Sequence, residues 1–314
     1  MDLDRLFLVV TNQCNGRCRI CNYWRHPAPS HLSLDFIRQH VISIVKRHRI
    51  RLVIITGGEP ALHPELPQIA RDLKQTGATI TMITNGSHLD TLYPRLVDSV
   101  DAFLLSLDAP TADLHCQMRG LSNFSQLLQY PAMIKKNPLK QVAFSCVLQK
   151  RNIRHLEEFY KLAAALPIDG VFFNVPELKS HCFGRPGTVN QIARQETHLT
   201  DEELTIMERQ LSRVLEIDRS VGLLQQREAY FKECAGYFRF LNRNAPMRLP
   251  PPCRVPSQSI VIDEKGNCLP CFYLPFSFPI AQWDSPELTH IRQKALNDSE
   301  FRRRHCGFCL QFQG

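Results

Sequence analysis

In the first 178 residues, short apolar runs alternate about six times with longer segments that are apolar along one side only. Leu6–Val10 is uninterrupted apolar sequence that stops at Thr11, which predicts a strand buried on both faces. Ser33 is suited to cap a helix, and Phe36, Ile37, Val41, Ile44 and Val45 after it fall on one helical side. Further strands are expected at Arg51–Thr56, Thr79–Thr84, Ala102–Leu107, Gln141–Leu148 and Gly170–Val175. Helices are expected at Glu65–Gln75, Phe124–Lys136 and Ile153–Leu166. Such alternation with short connections predicts parallel strands joined by helical crossovers, hence an α/β sheet or barrel. In a barrel the chemistry sits on loops leaving the strand C-termini, so those loops would share one rim.

Past residue 178 the pattern changes. Ser180–Ala193 reads as a polar, glycine-containing loop, and Thr200-Asp201-Glu202-Glu203 as a capping box opening a helix to about Glu216. A second helix is expected over Leu223–Leu241, followed by proline punctuation at Pro246 and Pro250-Pro251-Pro252. Ser259–Asp263 and Cys268–Phe272, joined through Glu264-Lys265-Gly266-Asn267, predict a β-hairpin. Three units are expected: residues 1–178 as the barrel, 179–250 as a helical linking region, and 251–314 as a small cysteine-rich α+β unit.

Composition changes the picture at one point. Apolar content of 44% and charged content of 22% are ordinary, but twelve cysteines in 314 residues are not. The N-terminus is acidic, its apolar run is too short for a signal peptide, and no run approaches the roughly 20 residues that span a bilayer. A cytoplasmic protein without membrane association is expected, and there clustered cysteines point to metal or catalysis rather than disulfides. The formal charge of +8 is scattered, with one tight basic run at Arg302-Arg303-Arg304. Two four-iron clusters would lower it to about +5. No basic motif with interleaved aromatics is present, which disfavours nucleic acid as the substrate.

The chemistry centres on Cys14-x3-Cys18-x2-Cys21, placed directly after the first strand. Three thiolates from one loop can ligate a four-iron cubane and leave one iron open to an exogenous ligand, or they can form a zinc knuckle. Gly57-Gly58-Glu59-Pro60 follows the second strand, Asn85-Gly86 the third, and Ser106-Leu107-Asp108 the fourth. Paired glycines permit close backbone approach to a ligand, and Ser106 and Asp108, two apart, are expected on one side of their strand.

Taken together, these motifs resemble the radical S-adenosylmethionine (SAM) enzymes. The resemblance spans about residues 5–178 and implies a partial (β/α)6, TIM-like barrel holding a 4Fe–4S cluster on Cys14, Cys18 and Cys21. It further implies that Gly57, Gly58 and Glu59 meet the methionyl amino group of SAM, and that Ser106 and Asp108 meet its ribose. Ile20 would pack on the adenine, and Asn85 and Arg119 would reach the ribose or the methionyl carboxylate. An arginine there can equally serve to pair a carboxylate.

Cys253-x12-Gly266-x4-Cys271 followed by Cys306-x2-Cys309 resembles the twitch domain, the shortened form of the SPASM domain. That implies a second, auxiliary 4Fe–4S cluster on Cys253, Cys271, Cys306 and Cys309, with a four-cysteine zinc site as the rival. Only Leu310–Gly314 follow, so a further auxiliary cluster is not expected. Cys268 is expected to turn away from Cys271 as a spare, and Cys116, Cys146, Cys182 and Cys234 to serve packing. Glu177 after the sixth strand could meet substrate or be a solvated rim carboxylate.

The resemblance implies reductive cleavage of SAM to a 5′-deoxyadenosyl radical that abstracts hydrogen from substrate, with flavodoxin or ferredoxin as electron donor. Oxidation or epimerisation of a small polar metabolite is the favoured outcome. With only thirteen residues before Cys14, no peptide-recognition domain is expected, so a peptide or protein maturase is the second choice. Four matched cysteines and a short Gln-Phe-Gln-Gly end fit the molybdopterin-precursor cyclase poorly. A non-catalytic, SAM-binding sensor or scaffold is the alternative from another class.

Overall fold

The computed structural model describes residues 3–178, 191–243, 252–306 and 309–310. Six parallel strands form its centre: β1 (Arg5–Thr11), β2 (Leu52–Gly57), β3 (Thr79–Thr84), β4 (Ala102–Ser106), β5 (Gln141–Val147) and β6 (Gly170–Asn174). They lie side by side in sequence order, each beside the next, as right-handed crossover units require. This is the α/β, mostly parallel sheet of a partial TIM-like barrel.

Burial along β3, β4 and β5 alternates residue by residue. The sealed positions, among them Ile80, Met82, Phe103, Leu105 and Phe144, join a core with helix residues such as Leu66, Ile69 and Leu73. The alternate positions are half-buried and form the other face of the sheet, which includes Ser106, Ser145 and Asn174 near the strand ends. Doubly buried sequence, as read for β1, therefore does not describe these later strands.

The helix opened by Ser33 runs from Leu34–Phe36 through a π-turn, Ile37–Val41, to Ile42–His48, and Ser33 Oγ accepts the Phe36 N–H at 3.1 Å. The Thr200–Glu203 capping box forms in both directions, and its helix extends to Val221, beyond the expected Glu216. The next helix, Glu228–Arg243, starts five residues later than read, because Leu223 and Leu224 hydrogen-bond to the Asp218 carboxylate instead. Most of the Ser180–Ala193 loop lies outside the described residues. Its last three positions already belong to the helix Gln191–Thr197, which corrects that part of the reading.

The C-terminal hairpin continues the barrel sheet. Strand β7 (Ser259–Ile262) runs parallel to β1 with Arg5 opposite Ser259, and β8 (Asn267–Leu269) and β9 (Phe278–Pro279) extend the sheet antiparallel. All four β7 residues are buried, and Ile260, Ile262 and Cys268 belong to the same core as the barrel. At the hairpin turn Gly266 (φ 80) rests on the Phe36 ring, where an added Cβ would fall 2.7 Å from it. Strand β8 ends at Leu269, before Pro270, so Cys271 lies beyond the strand. Among the described residues no helix is long and apolar enough to cross a membrane.

Candidate functional site

The three N-terminal cysteines sit on the loop leaving β1, and the ends of three neighbouring segments hold that loop in place. From β2, Gly58 N–H donates to Thr11 O at 2.8 Å and Glu59 N–H to Gln13 O at 2.7 Å. From β3, Asn85 Nδ2 donates to Asn15 Oδ1 at 2.9 Å. From the segment after β4, Arg119 O accepts Arg17 N–H at 2.7 Å and stands 3.9 Å from Cys18 Sγ. The paired glycines are needed for the first contact. A Cβ on Gly57 would lie 2.3 Å from Thr11 O, and one on Gly58 2.1 Å from Gln13 O. Their close approach is to the cysteine loop's own backbone.

Glu59 is 1% exposed and is spent on the protein. Its Oε1 accepts Thr84 Oγ1 at 2.6 Å and Ala61 N–H at 3.0 Å, while Oε2 accepts Asn85 N–H at 2.6 Å. Burial pushes its pKa up, and the bonds from Thr84, Asn85 and Ala61 oppose that rise. Glu59 thus fastens the end of β3 to the loop after β2.

Asp108 lies past the end of β4, so it does not share a strand face with Ser106. Its Oδ1 accepts Val147 N–H at 2.8 Å, and its Oδ2 pairs with Arg119 Nη1 at 2.7 Å, with the side chains 3% and 13% exposed. A carboxylate with both oxygens engaged in the interior orients its arginine. Ser106 is half-buried opposite Ser145 on β5, whose Oγ accepts Asn174 Nδ2 from β6 at 3.0 Å. Ser145 and Asn174 went unread in the sequence. The signal was there, since both share Ser106's parity at the ends of the next two strands.

Burial pushes the thiol pKa of Cys14 up to about 12, reinforced by Cys18 and later Cys21, and that of Cys18 to about 11. Arg119 opposes the rise at Cys18. The three thiols therefore share one field. A cationic iron–sulfur core would replace their protons and relieve the burial cost. A buried polar atom beside Cys18, Arg119 Nε, has no hydrogen-bond partner among the described residues. A cavity of about 310 Å3, lined by Gln13, Cys14, Asn15, Tyr23 and Trp24 among others, adjoins the loop. Ile20 is half-buried on the same loop. The donor set, the orphaned Arg119 Nε and the adjoining space fit a three-thiolate cluster with an organic ligand.

His115, missed in the sequence, lies fully buried on the helix Ala112–Arg119, beside Asn123 and Arg119. Burial, then the nearby Arg119, pushes its pKa from 6.5 down to about 4. Above pH 6.5 the ring is neutral in both folded and unfolded chains. Below that the unfolded chain takes up a proton that the folded one refuses until about pH 4. Stability should fall by roughly 1.4 kcal/mol per pH unit across that window. Urea midpoints of wild type and His115→Gln at pH 7 and 4.5 should show the gap between them shifting by about 2–3 kcal/mol in the variant's favour at acid pH. An unchanged gap would rule this out.

In the C-terminal unit, burial and then the neighbouring thiols push Cys271 up to about 12, with Cys253 and Cys306 both acting on it. Cys306 rises to about 12, burial first and Cys253 second. Cys309 N–H donates to Cys306 O at 3.1 Å, and its thiol acts on the Tyr230 hydroxyl. Cys268 is buried apart, its Sγ 3.7 Å from Pro279 O. Cys146 and Cys234 are buried and Cys116 is exposed, while Cys182 lies outside the described residues. Glu177 is buried at 8% exposure, so it is not a solvated rim carboxylate. Among the described residues no group of three His, Cys, Asp or Glu side chains is gathered tightly enough to hold a single metal ion.

Comparison with known proteins gives the class. Residues 8–163 match the radical SAM superfamily, and the chain belongs to it. A probable GTP 3′,8-cyclase from Sulfolobus acidocaldarius is 30% identical over 173 residues, covering 54% of this chain and 55% of that protein. The chain thus spans little more than half the length of this curated relative. Streptococcus suis SuiB bound to its precursor peptide SuiA superposes with a TM-score of 0.68 at 15% identity, covering 93% of this chain and 67% of that one. BtrN in complex with AdoMet and 2-DOIA superposes with a TM-score of 0.52 at 14% identity, covering 98% and 94%. At these identities the two structures share the fold. Members of the superfamily use a 4Fe–4S cluster and SAM.

Proposed function

We propose that the protein is a radical SAM enzyme acting on a small polar metabolite, which it oxidises or epimerises. The observation that carries the reading is the anchoring of the cysteine loop by Gly58, Asn85 and Arg119, three segments meeting at one end of a parallel sheet. Cys14, Cys18 and Cys21 would hold the first cluster, with Glu59 and Asp108 fixing the residues around it. When bound and reduced, that cluster would supply the electron that splits SAM into methionine and the hydrogen-abstracting 5′-deoxyadenosyl radical. Gly57, Gly58, Asn85, Ser106, Ile20 and Arg119 would surround SAM, and the buried setting would keep the radical from water. Cys253, Cys271, Cys306 and Cys309 would carry a fully ligated auxiliary cluster of the twitch type. A cytoplasmic setting with flavodoxin or ferredoxin as electron donor completes the reading.

Anaerobic incubation of the reconstituted protein with dithionite and SAM should yield 5′-deoxyadenosine, and none formed even with a metabolite extract present would defeat the reading. Iron content separates the two roles for the C-terminal cysteines. Two cubanes give about eight irons per chain, and one cubane with zinc gives about four. Cys271→Ala should lower an eight-iron protein by about four irons, and an iron content unmoved by that change would exclude the auxiliary cluster.

A further inference from the structure

A cavity of about 880 Å3 lies beyond the C-terminal ends of β5 and β6, with Arg19, Lys150, Arg151, Arg194 and Glu196 among its lining residues. That is room for a metabolite-sized ligand. Arg19 stands between Cys18 and Ile20, so the cysteine loop itself supplies part of the wall. Lys150 and Arg151 come from the turn after β5, and Arg194 and Glu196 from the helix Gln191–Thr197.

The lining is electrically lopsided. Among the described residues of the lining, four cationic side chains stand against one carboxylate, Glu196, which is 3% exposed. Glu196 Oε1 accepts Arg19 Nε, and also Arg151 Nε at 2.9 Å. One carboxylate thus gathers two guanidinium groups from distant parts of the chain. Lys150 Nζ reaches Glu203 Oε2 at 3.1 Å, and Arg194, on an exposed helical position, makes no ion pair among the described residues. Counting Glu203, two positive charges remain uncompensated among the described residues of this concavity, where low-dielectric walls strengthen the field. Guanidinium forks match the geometry of phosphate and carboxylate oxygens.

We infer that the substrate of this enzyme is a small molecule carrying a phosphate or carboxylate group, bound in this cavity by Arg194 together with Arg19 and Arg151. The inference rests on the radical SAM reading, since it takes this cavity as the one that serves the cluster. It narrows the substrate class from polar to anionic and excludes neutral polyols.

The test is equilibrium binding to the cluster-loaded protein with SAM present, using pyrophosphate, succinate and the neutral polyol myo-inositol as probes. At least one anion should bind saturably at one site per chain, and which of the two binds more tightly identifies the group as phosphate or carboxylate. Arg194→Gln should weaken that binding about 10-fold or more, while the same charge removed outside the cavity, Arg209→Gln, should change it by less than about 2-fold. Saturable binding of neither anion, equal binding by Arg194→Gln and wild type, or preference for myo-inositol would each overturn the inference. Formation of 5′-deoxyadenosine is followed in the same preparation. Its presence without anion binding would sink this inference alone, and anion binding without it would sink the radical SAM reading.

Discussion

Cys18→Ala, loaded anaerobically with iron and sulfide, should carry about four irons fewer per chain than wild type and form 5′-deoxyadenosine at least ~1000-fold more slowly. The size of the effect follows from the ligand count. Three thiolates are the whole protein donor set of the proposed site, and losing one leaves a four-iron core with two unprotected irons. The substitution is mild for the fold, because Cys18 is only half-buried and its carbonyl still receives Trp24 Nε1 at 3.2 Å. Cys146→Ala is the natural comparison. That thiol is fully buried beside Asp108 O and Asn152 Nδ2, and its loss should cost about 1–2 kcal/mol of stability while leaving iron content intact. Iron retained in full by Cys18→Ala would place the cluster elsewhere.

Gly58→Ala should be nearly as damaging by a different route. Its new Cβ would stand 2.1 Å from Gln13 O and 2.8 Å from Asn12 O, both backbone atoms with no rotamer to yield. Relief requires the cysteine loop to move off β2, which breaks Gly58 N–H to Thr11 O and Glu59 N–H to Gln13 O. Two buried backbone donors lost, together with the displaced loop, put the cost at about 2–4 kcal/mol, with weakened cluster retention. Gly77→Ala calibrates the experiment, since at φ 87 with nothing within 4 Å it carries backbone strain alone, about 1 kcal/mol. Thermal unfolding and iron content of the two variants should diverge. Equal losses would mean that the loop accommodates the methyl group.

The barrel was legible because each of its six strands is a short run of about the right length, apolar from Leu6 to Val10 in β1 and apolar at alternate positions in β3 and β5. The helices Leu89–Leu96 and Ala112–Arg119 were not, since one contains Pro94 and the other is half polar. At the site, the cysteine spacing and the motif positions could be read directly. What each side chain does there could not. Glu59 and Asp108 are carboxylates at strand ends, and sequence alone does not reveal that three backbone N–H groups, a hydroxyl and an arginine already occupy them. The Arg19–Glu196–Arg151 arrangement joins residues up to 177 positions apart, so no local pattern announces it.

Pairing of β7 with β1 sets an order of assembly. The strand that carries the cysteine loop is made long before β7, so one of its edges stays without its partner until the chain has grown past Ile262. An apolar strand with an open edge is a template for pairing with other chains. Closing it late, over a separation of about 250 residues, makes folding slow. The nascent protein thus passes through an interval in which the cysteine loop hangs from a strand paired on one side only.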